Sequence, residues 1–186
     1  MKQINMDQGM NTLMKKYGNY LIFIILIIVC SMLSPAFLTV KNVTSVLRQI
    51  SITGILAFAE MLLIISGYID LSLGAVVAFS GMVSVNAYLS TGSYLMTFLT
   101  AITVAVICCS CSGFLVAKIK LPAFIATMAM DSIARGACYM YTNGQPIYKI
   151  GDYGKISSGY IGPVPIPVVF LMVIAVIVWI LLSKTT

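Results

Sequence analysis

The segment Gly67-Tyr68-Ile69-Asp70-Leu71-Ser72 separates two long apolar runs, residues 50–66 and residues 73–89. Glycine lowers helix propensity, and aspartate and serine favour the start of a helix because their side chains accept its first unpaired N–H groups. The segment therefore predicts that one helix ends here and another begins. Asp70 is expected at the positive end of the second helix, where a carboxylate is favoured by about 0.3–1 kcal/mol.

This break has two interpretations, which the residues alone leave open. It is either an ordinary turn between helices with a capping aspartate, or an interrupted helix of the kind that lines the path or the gates of a membrane transporter. The second interpretation makes Gly67, Asp70 and Ser72 candidate pathway or gate residues. Glu60, inside the preceding apolar run, joins them.

The composition is that of a multi-pass membrane protein. Hydrophobic residues make up 60% of the 186, charged residues make up 9%, and the mean hydropathy is +1.04, which together exclude a soluble globular domain. The net charge of +6 comes from 11 cations against 5 acids, with most cations at the ends of apolar runs. This pattern fits lipid headgroups rather than nucleic acid. We therefore expect the chain to reside in a membrane.

Two further site types are not expected. The chain has five cysteines and no histidine, and Cys108, Cys109 and Cys111 fall within one apolar run, so the sequence favours helix packing over disulfides or a metal site. No cofactor is predicted. The first apolar run follows Lys15 and Lys16 but lacks a small-x-small cleavage site, so it is expected to remain as an anchor.

The apolar runs predict an all-α transmembrane bundle with about six crossings. We expect a cytoplasmic N-terminal segment, residues 1–17, followed by a transmembrane domain over residues 18–186. Lys118, Lys120 and Lys184 favour a cytoplasmic location for the ends near them, against Lys149 and Lys155 in an external loop over residues 143–165. The predicted spans are residues 20–40, 50–66, 73–89, 94–116, 122–141 and 166–182.

Small residues recur on two of these spans. Gly74, Ala78 and Gly81 share one face of the third span, and in the fourth span small residues recur at every fourth position: Ala105, Cys109, Gly113 and Ala117. Such stripes let helix backbones approach closely within a bilayer. The stripes predict a compact bundle.

Three charged residues lie inside predicted spans. Asp131 and Arg135 are four residues apart on the fifth span, a spacing at which an acid and a base pair. Unpaired charges in hydrocarbon cost several kcal/mol, so these groups must face protein, water or each other. The pair either braces the bundle as an intramembrane ion pair or lines a pathway. Glu60 is either protonated or hydrogen-bonded to a neighbouring helix, or it lines the pathway too.

Several motifs resemble the membrane subunits of bacterial ribose-type sugar ABC importers. The resemblance covers about residues 38–182 and is carried, in order, by Leu47-Arg48-Gln49, Gly54-Ile55-Leu56-Ala57, Ile64 to Gly74, Leu121-Pro122-Ala123-Phe124-Ile125-Ala126-Thr127, Ile133-Ala134-Arg135-Gly136 and Thr142-Asn143-Gly144-Gln145-Pro146-Ile147. It implies a translocation subunit for a monosaccharide that is not itself an enzyme. It also implies three protein partners: a separate ATPase subunit, an extracytoplasmic sugar-binding protein and a second permease copy in a homodimer or heterodimer. The resemblance further implies that residues 18–186 form a permease domain in the lipid bilayer of the bacterial plasma (inner) membrane. The sequence has no Walker-type phosphate-binding motif of its own.

Two departures from the family pattern affect this expectation. Tyr68 stands where the family usually has a second glycine, which bears on the flexibility of the break. The sequence also stops at Lys184-Thr185-Thr186, where the family continues into its coupling segment, so a truncated or split permease is expected. Two alternatives remain at this stage. One is an ion-coupled secondary transporter with Glu60 and Asp131 as ion sites, and the other is a non-transporting fragment that binds partner subunits.

Overall fold

A computed structural model describes residues 2–148 and 150–185, and its side chains over residues 17–148 and 150–184; Lys149 and Thr186, named above, lie outside these ranges. The predicted all-α fold is confirmed. A short 3-10 turn (Gly151–Gly154) and an antiparallel hairpin of β1 (Tyr160–Ile161) and β2 (Val164–Pro165) interrupt it. The helices are α1 (Lys2–Leu33), α2 (Val40–Ile65), α3 (Leu73–Thr91), α4 (Tyr94–Ala117), α5 (Ala123–Thr142), α6 (Lys155–Ser158) and α7 (Ile166–Thr185).

Four helices in the described part of the chain are long and apolar enough to cross a membrane. Tyr17–Leu33, within α1, is a shorter apolar helix. The fifth predicted span, now α5, is not among the four, because Asp131 and Arg135 interrupt its apolar sequence. The number of six crossings therefore stays a prediction. The four candidate spans are Val40–Ile65, Leu73–Thr91, Tyr94–Ala117 and Ile166–Lys184.

The chain forms two compact units, Met1–Leu47 and Arg48–Thr186. In the first unit, Thr39 caps α2: its hydroxyl oxygen accepts the N–H of Asn42 at 3.4 Å, and the Asn42 amide donates to the Phe37 carbonyl at 2.7 Å. A threonine cap of this kind satisfies a first-turn N–H group and starts a helix. Helix α2 therefore begins at Val40, well before the start of the predicted span at residue 50.

In the second unit, α3 packs against both α4 and α5. The buried side chains at their meeting point are small or flexible, and they are Ala75, Val76, Cys108, Met130 and Ala134. Two of the five lie in the first turn of α3, directly after the break. The packing of α3 therefore fixes one side of the break to the core.

Three glycines of the small-residue stripes are not points of close contact with a neighbouring helix. A Cβ atom added at Gly74, Gly81 or Gly113 would meet no other heavy atom within 4 Å, so the prediction is wrong at these three glycines. The helices meet instead through the neighbouring side chains of the core. The Leu171 side chain of α7 contacts α2 at Gly54, where an added Cβ would lie 2.8 Å from Cδ1 of Leu171.

Candidate functional site

Helix α2 ends in a Schellman motif at the start of the break. The N–H of Tyr68 donates to the carbonyl of Leu63 at 2.9 Å, and the N–H of Gly67 donates to that of Ile64 at 2.9 Å. This motif needs a left-handed residue after the helix, and Gly67 supplies it with a φ of +81°. Tyr68 is outside the left-handed region, so the position where the family usually has a second glycine does not require one here.

Two carboxylates tie the break to the helices on either side. Oε1 of Glu60 accepts the N–H of Asp70 at 3.2 Å. Oδ1 of Asp70 in turn accepts both the N–H of Ser72 at 2.7 Å and the Ser72 hydroxyl at 2.6 Å. The Ser72 hydroxyl accepts no first-turn N–H group of α3, although Ser72 occupies the N-cap position. The three residues form one continuous chain of hydrogen bonds.

Glu60 is placed differently from the prediction that it lies mid-span. Because α2 begins at Val40, Glu60 lies near its C-terminal end, within reach of the break. Its second oxygen, Oε2, is buried and has no hydrogen-bond partner among the described residues. A buried oxygen without a donor costs free energy that a contact formed in another conformation would recover. Only one of the two Glu60 carboxyl oxygens thus has a hydrogen-bond partner among the described residues.

A cavity of about 420 Å³ lies beside this chain of hydrogen bonds. Its polar lining comes from Asp70, Cys109, Ser112 and Thr127, and the stripe residues Gly113 and Ala117 leave the room for it. The Ser112 hydroxyl oxygen is buried and has no hydrogen-bond partner among the described residues. Sequence reasoning missed Ser112 as a site residue, and its only signal was a serine within an apolar run.

A second cavity, of about 530 Å³, continues from the first toward the α4–α5 connection. It is lined by Gly67, Lys120, Pro122 and Phe124, and it shares Tyr68 with the first cavity. Lys120 adopts a φ of +64°, in the left-handed region that non-glycine residues rarely occupy. We call the break and residues 118–124 together the break end of the α3–α5 bundle.

The Asp131–Arg135 pair lies away from the break end. Nε of Arg135 donates to Oδ2 of Asp131 at 2.8 Å. The Arg135 side chain is 65% exposed and that of Asp131 is 23% exposed. Arg135 lines a different cavity, of about 410 Å³, together with Tyr139, Thr142 and Gln145. The structure thus brings Glu60, Gly67, Asp70 and Ser72 together but leaves the ion pair apart from them.

The other end of the bundle is held by tyrosines. The Tyr153 hydroxyl lies 3.1 Å from the Ser84 hydroxyl, and the ring of Tyr153 packs on Tyr88 with centroids 5.9 Å apart. The Tyr94 hydroxyl donates to the carbonyl of Asp152 at 3.1 Å. We call the segment of residues 150–165 with the adjoining ends of α3 and α4 the loop end.

Charged groups add to the loop end. Lys155 pairs with Asp152 at 2.8 Å, and this hydrogen bond and charge raise the pKa of Lys155 above its ordinary value. Arg48 donates to the Ser158 carbonyl at 2.8 Å and lies 4.7 Å from the centroid of the Tyr160 ring. The loop end therefore rests on several independent contacts.

Residues 42–186 match the family model described as the permease component of the branched-chain amino acid transport system. The chain belongs to this permease family. The membership confirms the expected class, a membrane permease component and not an enzyme. It also agrees with the apolar helices in placing this permease in the bacterial plasma membrane as a multi-pass protein.

Several sugar permeases are similar to this permease along nearly its whole length. It is 35% identical over 175 residues to the ribose import permease protein of Bacillus subtilis (strain 168), covering 92% of this chain and 54% of that protein. It is 30% identical over 172 residues to the D-allose transport system permease protein of Escherichia coli (strain K12), covering 91% and 53%. The L-arabinose transport system permease protein of the same strain is 30% identical over 173 residues, covering 92% and 52%.

This permease spans about half the length of the curated relatives it matches. No solved structure matches it at a significant level.

Proposed function

We propose that this permease forms part of the translocation pathway of an ATP-driven importer for a monosaccharide. The observation that carries the proposal is its similarity, over nine-tenths of its length, to permeases whose names specify ribose, D-allose and L-arabinose. The three sugars are neutral and polyhydroxylated, so the proposed solute belongs to that class. Ribose-type pentoses and closely related hexoses are the first candidates.

The proposal includes three partners. A separate ATPase subunit hydrolyses ATP, since the matching family and relatives are named as permease components of transport systems. An extracytoplasmic binding protein delivers the sugar, and a second permease copy, identical or related, completes the pathway. Support for the second copy comes from the exposed side chain of Arg135 on the fifth predicted span, because a charge there is costly against lipid and needs water or protein beside it.

Within this role, the break end acts as a gate. Gly67 lets α2 stop abruptly, and the Glu60–Asp70–Ser72 chain of hydrogen bonds holds the break in the conformation described here. Opening the gate would break few hydrogen bonds at Glu60. One of its carboxyl oxygens accepts a single N–H group at 3.2 Å, and the other has no partner among the described residues. Opening would release that N–H group and enlarge the adjoining cavities.

Uptake of radiolabelled sugar tests the transport class. Bacteria lacking their own pentose and allose permeases would express this chain with the ATPase, the binding protein and any further permease chain encoded beside it. We expect uptake of at least one of ribose, allose and arabinose, and we expect it to stop when the phosphate-binding lysine of the ATPase is replaced.

The same assay distinguishes the alternative of an ion-coupled transporter. In that case uptake would continue with the inactive ATPase and would stop when an uncoupler collapses the proton gradient. Absence of uptake for all three sugars, with all subunits present in the membrane, would contradict the proposed function.

A further inference from the structure

Two adjoining cavities form a groove along α3 and α5, away from the break end. They share four lining residues, Met82, Thr142, Gln145 and Pro146. One cavity, of about 410 Å³, extends to Arg135 and Tyr139, and the other, of about 380 Å³, extends to Tyr153. Each volume is in the range of small-molecule sites. We call this feature the α3–α5 groove.

The exposed charge of Arg135 shows that the groove does not face lipid. Its side chain is 65% exposed, and Tyr139, one turn further along α5, is 71% exposed. A guanidinium group against hydrocarbon is expensive even when an aspartate is nearby. This side of α5 therefore faces water or another protein surface rather than lipid, and a dissolved molecule can enter the groove where it faces water.

The polar groups in the groove suit a neutral solute with several hydroxyl groups. Nε of Arg135 is paired with Asp131, and its two terminal nitrogens make no hydrogen bond among the described residues, so they are available as donors. The Thr142 hydroxyl donates to the Cys138 carbonyl at 3.0 Å and keeps its acceptor capacity. The side-chain amide of Gln145 offers both a donor and an acceptor.

The charge and shape of the groove further narrow the chemical class of its ligand. The Asp131 carboxylate neutralises Arg135, so the groove has no net positive charge to select an anion. Met82 and Pro146 provide apolar wall, and Tyr139 presents an exposed aromatic ring, which packs against the C–H face of a sugar. Aliphatic solutes would leave the guanidinium and amide groups unpaired on binding.

We propose that the α3–α5 groove is a binding subsite for a neutral monosaccharide. Arg135 and Gln145 donate to sugar hydroxyls, Thr142 accepts from one, and Tyr139 packs against the ring. The choice of a sugar rests on the proposed function. The site itself is tested by binding alone, so a failure to transport and a failure to bind are distinguishable.

The test measures how fast a cysteine in the groove reacts with a membrane-impermeant maleimide. Met82→Cys is placed in the full chain in lipid nanodiscs, with the five native cysteines replaced by alanine, and Ser157→Cys outside the groove serves as the control site. We expect saturating ribose, allose or arabinose to slow labelling at Met82→Cys and to leave Ser157→Cys unchanged.

A second variant links the protection to the proposed contacts. Adding Gln145→Leu is expected to raise the sugar concentration that gives half protection about tenfold, the effect of one lost hydrogen bond between polar groups. The same replacement outside the groove, Gln49→Leu, is the matched control and should leave that concentration unchanged. An unchanged labelling rate without sugar shows that the groove still forms in the variant.

Two results would overturn the proposal. One is labelling at Met82→Cys that none of the three sugars slows. The other is stronger protection by ribose 5-phosphate than by ribose, which would assign the groove to an anion. Protection without uptake in the transport assay would keep the subsite and contradict the importer.

Discussion

The two ends of the α3–α5 bundle are held by different chemistry. At the break end, Glu60 and Asp70 form a single chain of hydrogen bonds in which one carboxylate oxygen is buried and unpartnered among the described residues. At the loop end, Tyr153 and Tyr94 contact separate partners, and Arg48 adds a third tie. Loss of one contact should therefore loosen the break end and leave the loop end in place. This asymmetry is what a gate and its fixed frame require.

The largest expected effect comes from Gly159, which connects α6 to β1 at the loop end. A Cβ at this position would lie 2.6 Å from the carbonyl oxygen of Lys155 and 2.7 Å from Cδ1 of Ile166. Because a backbone atom cannot move aside cheaply, Gly159→Ala should destabilise the protein by about 3 kcal/mol. Thermal unfolding in detergent measures it.

The matched control for that change is Gly113→Ala, where an added Cβ meets no other heavy atom within 4 Å. It should leave the unfolding temperature the same or raise it, since alanine favours a helix over glycine. Equal losses in the two variants would mean that the loop end is not closely packed at Gly159.

At the break end, Gly67→Ala should cost about 1–2 kcal/mol, because alanine is strained in the left-handed region. Tyr68→Gly should cost less than about 1 kcal/mol, since Tyr68 is outside that region and glycine there adds mainly freedom to the unfolded chain. Chemical denaturation of both variants measures the difference. A larger loss from Tyr68→Gly would show that the tyrosine side chain, and not the glycine turn, holds the break.

Removing a single hydroxyl group at the loop end should reduce stability about as much as losing an ordinary hydrogen bond. Tyr153→Phe removes the contact to Ser84 but keeps the ring on Tyr88, so we expect a loss of about 1 kcal/mol in stability. Ser84→Ala should cost a similar amount, and the double variant should cost less than the sum of the two. Additive losses would show that the two hydroxyls do not interact.

The smallest effect is expected at the Asp131–Arg135 pair. Exposed ion pairs contribute little to stability, and the Arg135 side chain of this pair is 65% exposed and lines the groove. Asp131→Asn should lower the folded yield slightly, and the double change with Arg135→Gln should lower it less than Asp131→Asn alone. A severe loss of folded protein from Asp131→Asn alone would indicate that the pair lies against lipid.

The break could be read from the sequence because its causes are local. Gly67 ends a helix through its own backbone, and Asp70 and Ser72 lie two residues apart. The contact between Glu60 and Asp70 could not be predicted, because it depends on how the chain turns over the ten positions between them. The close packing of Leu171 on Gly54 joins residues far apart in sequence, so it could not be predicted either.

The small-residue stripes are a local pattern that did not predict the packing correctly. A recurring small residue indicates only that there is space beside the helix. It does not predict whether a neighbouring helix occupies that space or whether it stays open as a cavity. At Gly81 and Gly113 a cavity does. The groove around Gln145 was missed for a different reason. Arg135, Tyr139 and Thr142 share one face of α5, but Gln145 joins them from the loop after the helix, where helical periodicity does not apply.

The most direct test of the account is amide hydrogen exchange in lipid nanodiscs, with Glu60→Leu and Glu60→Gln compared with the unmodified chain. The leucine variant removes the acceptor for the Asp70 N–H group, so exchange over residues 68–72 should become about tenfold faster, while residues 150–161 stay unchanged. Glutamine keeps an acceptor oxygen and should stay close to the unmodified rate. An equal rise at both ends of the bundle, or no change at the break in Glu60→Leu, would contradict a gate held by Glu60 within a fixed frame.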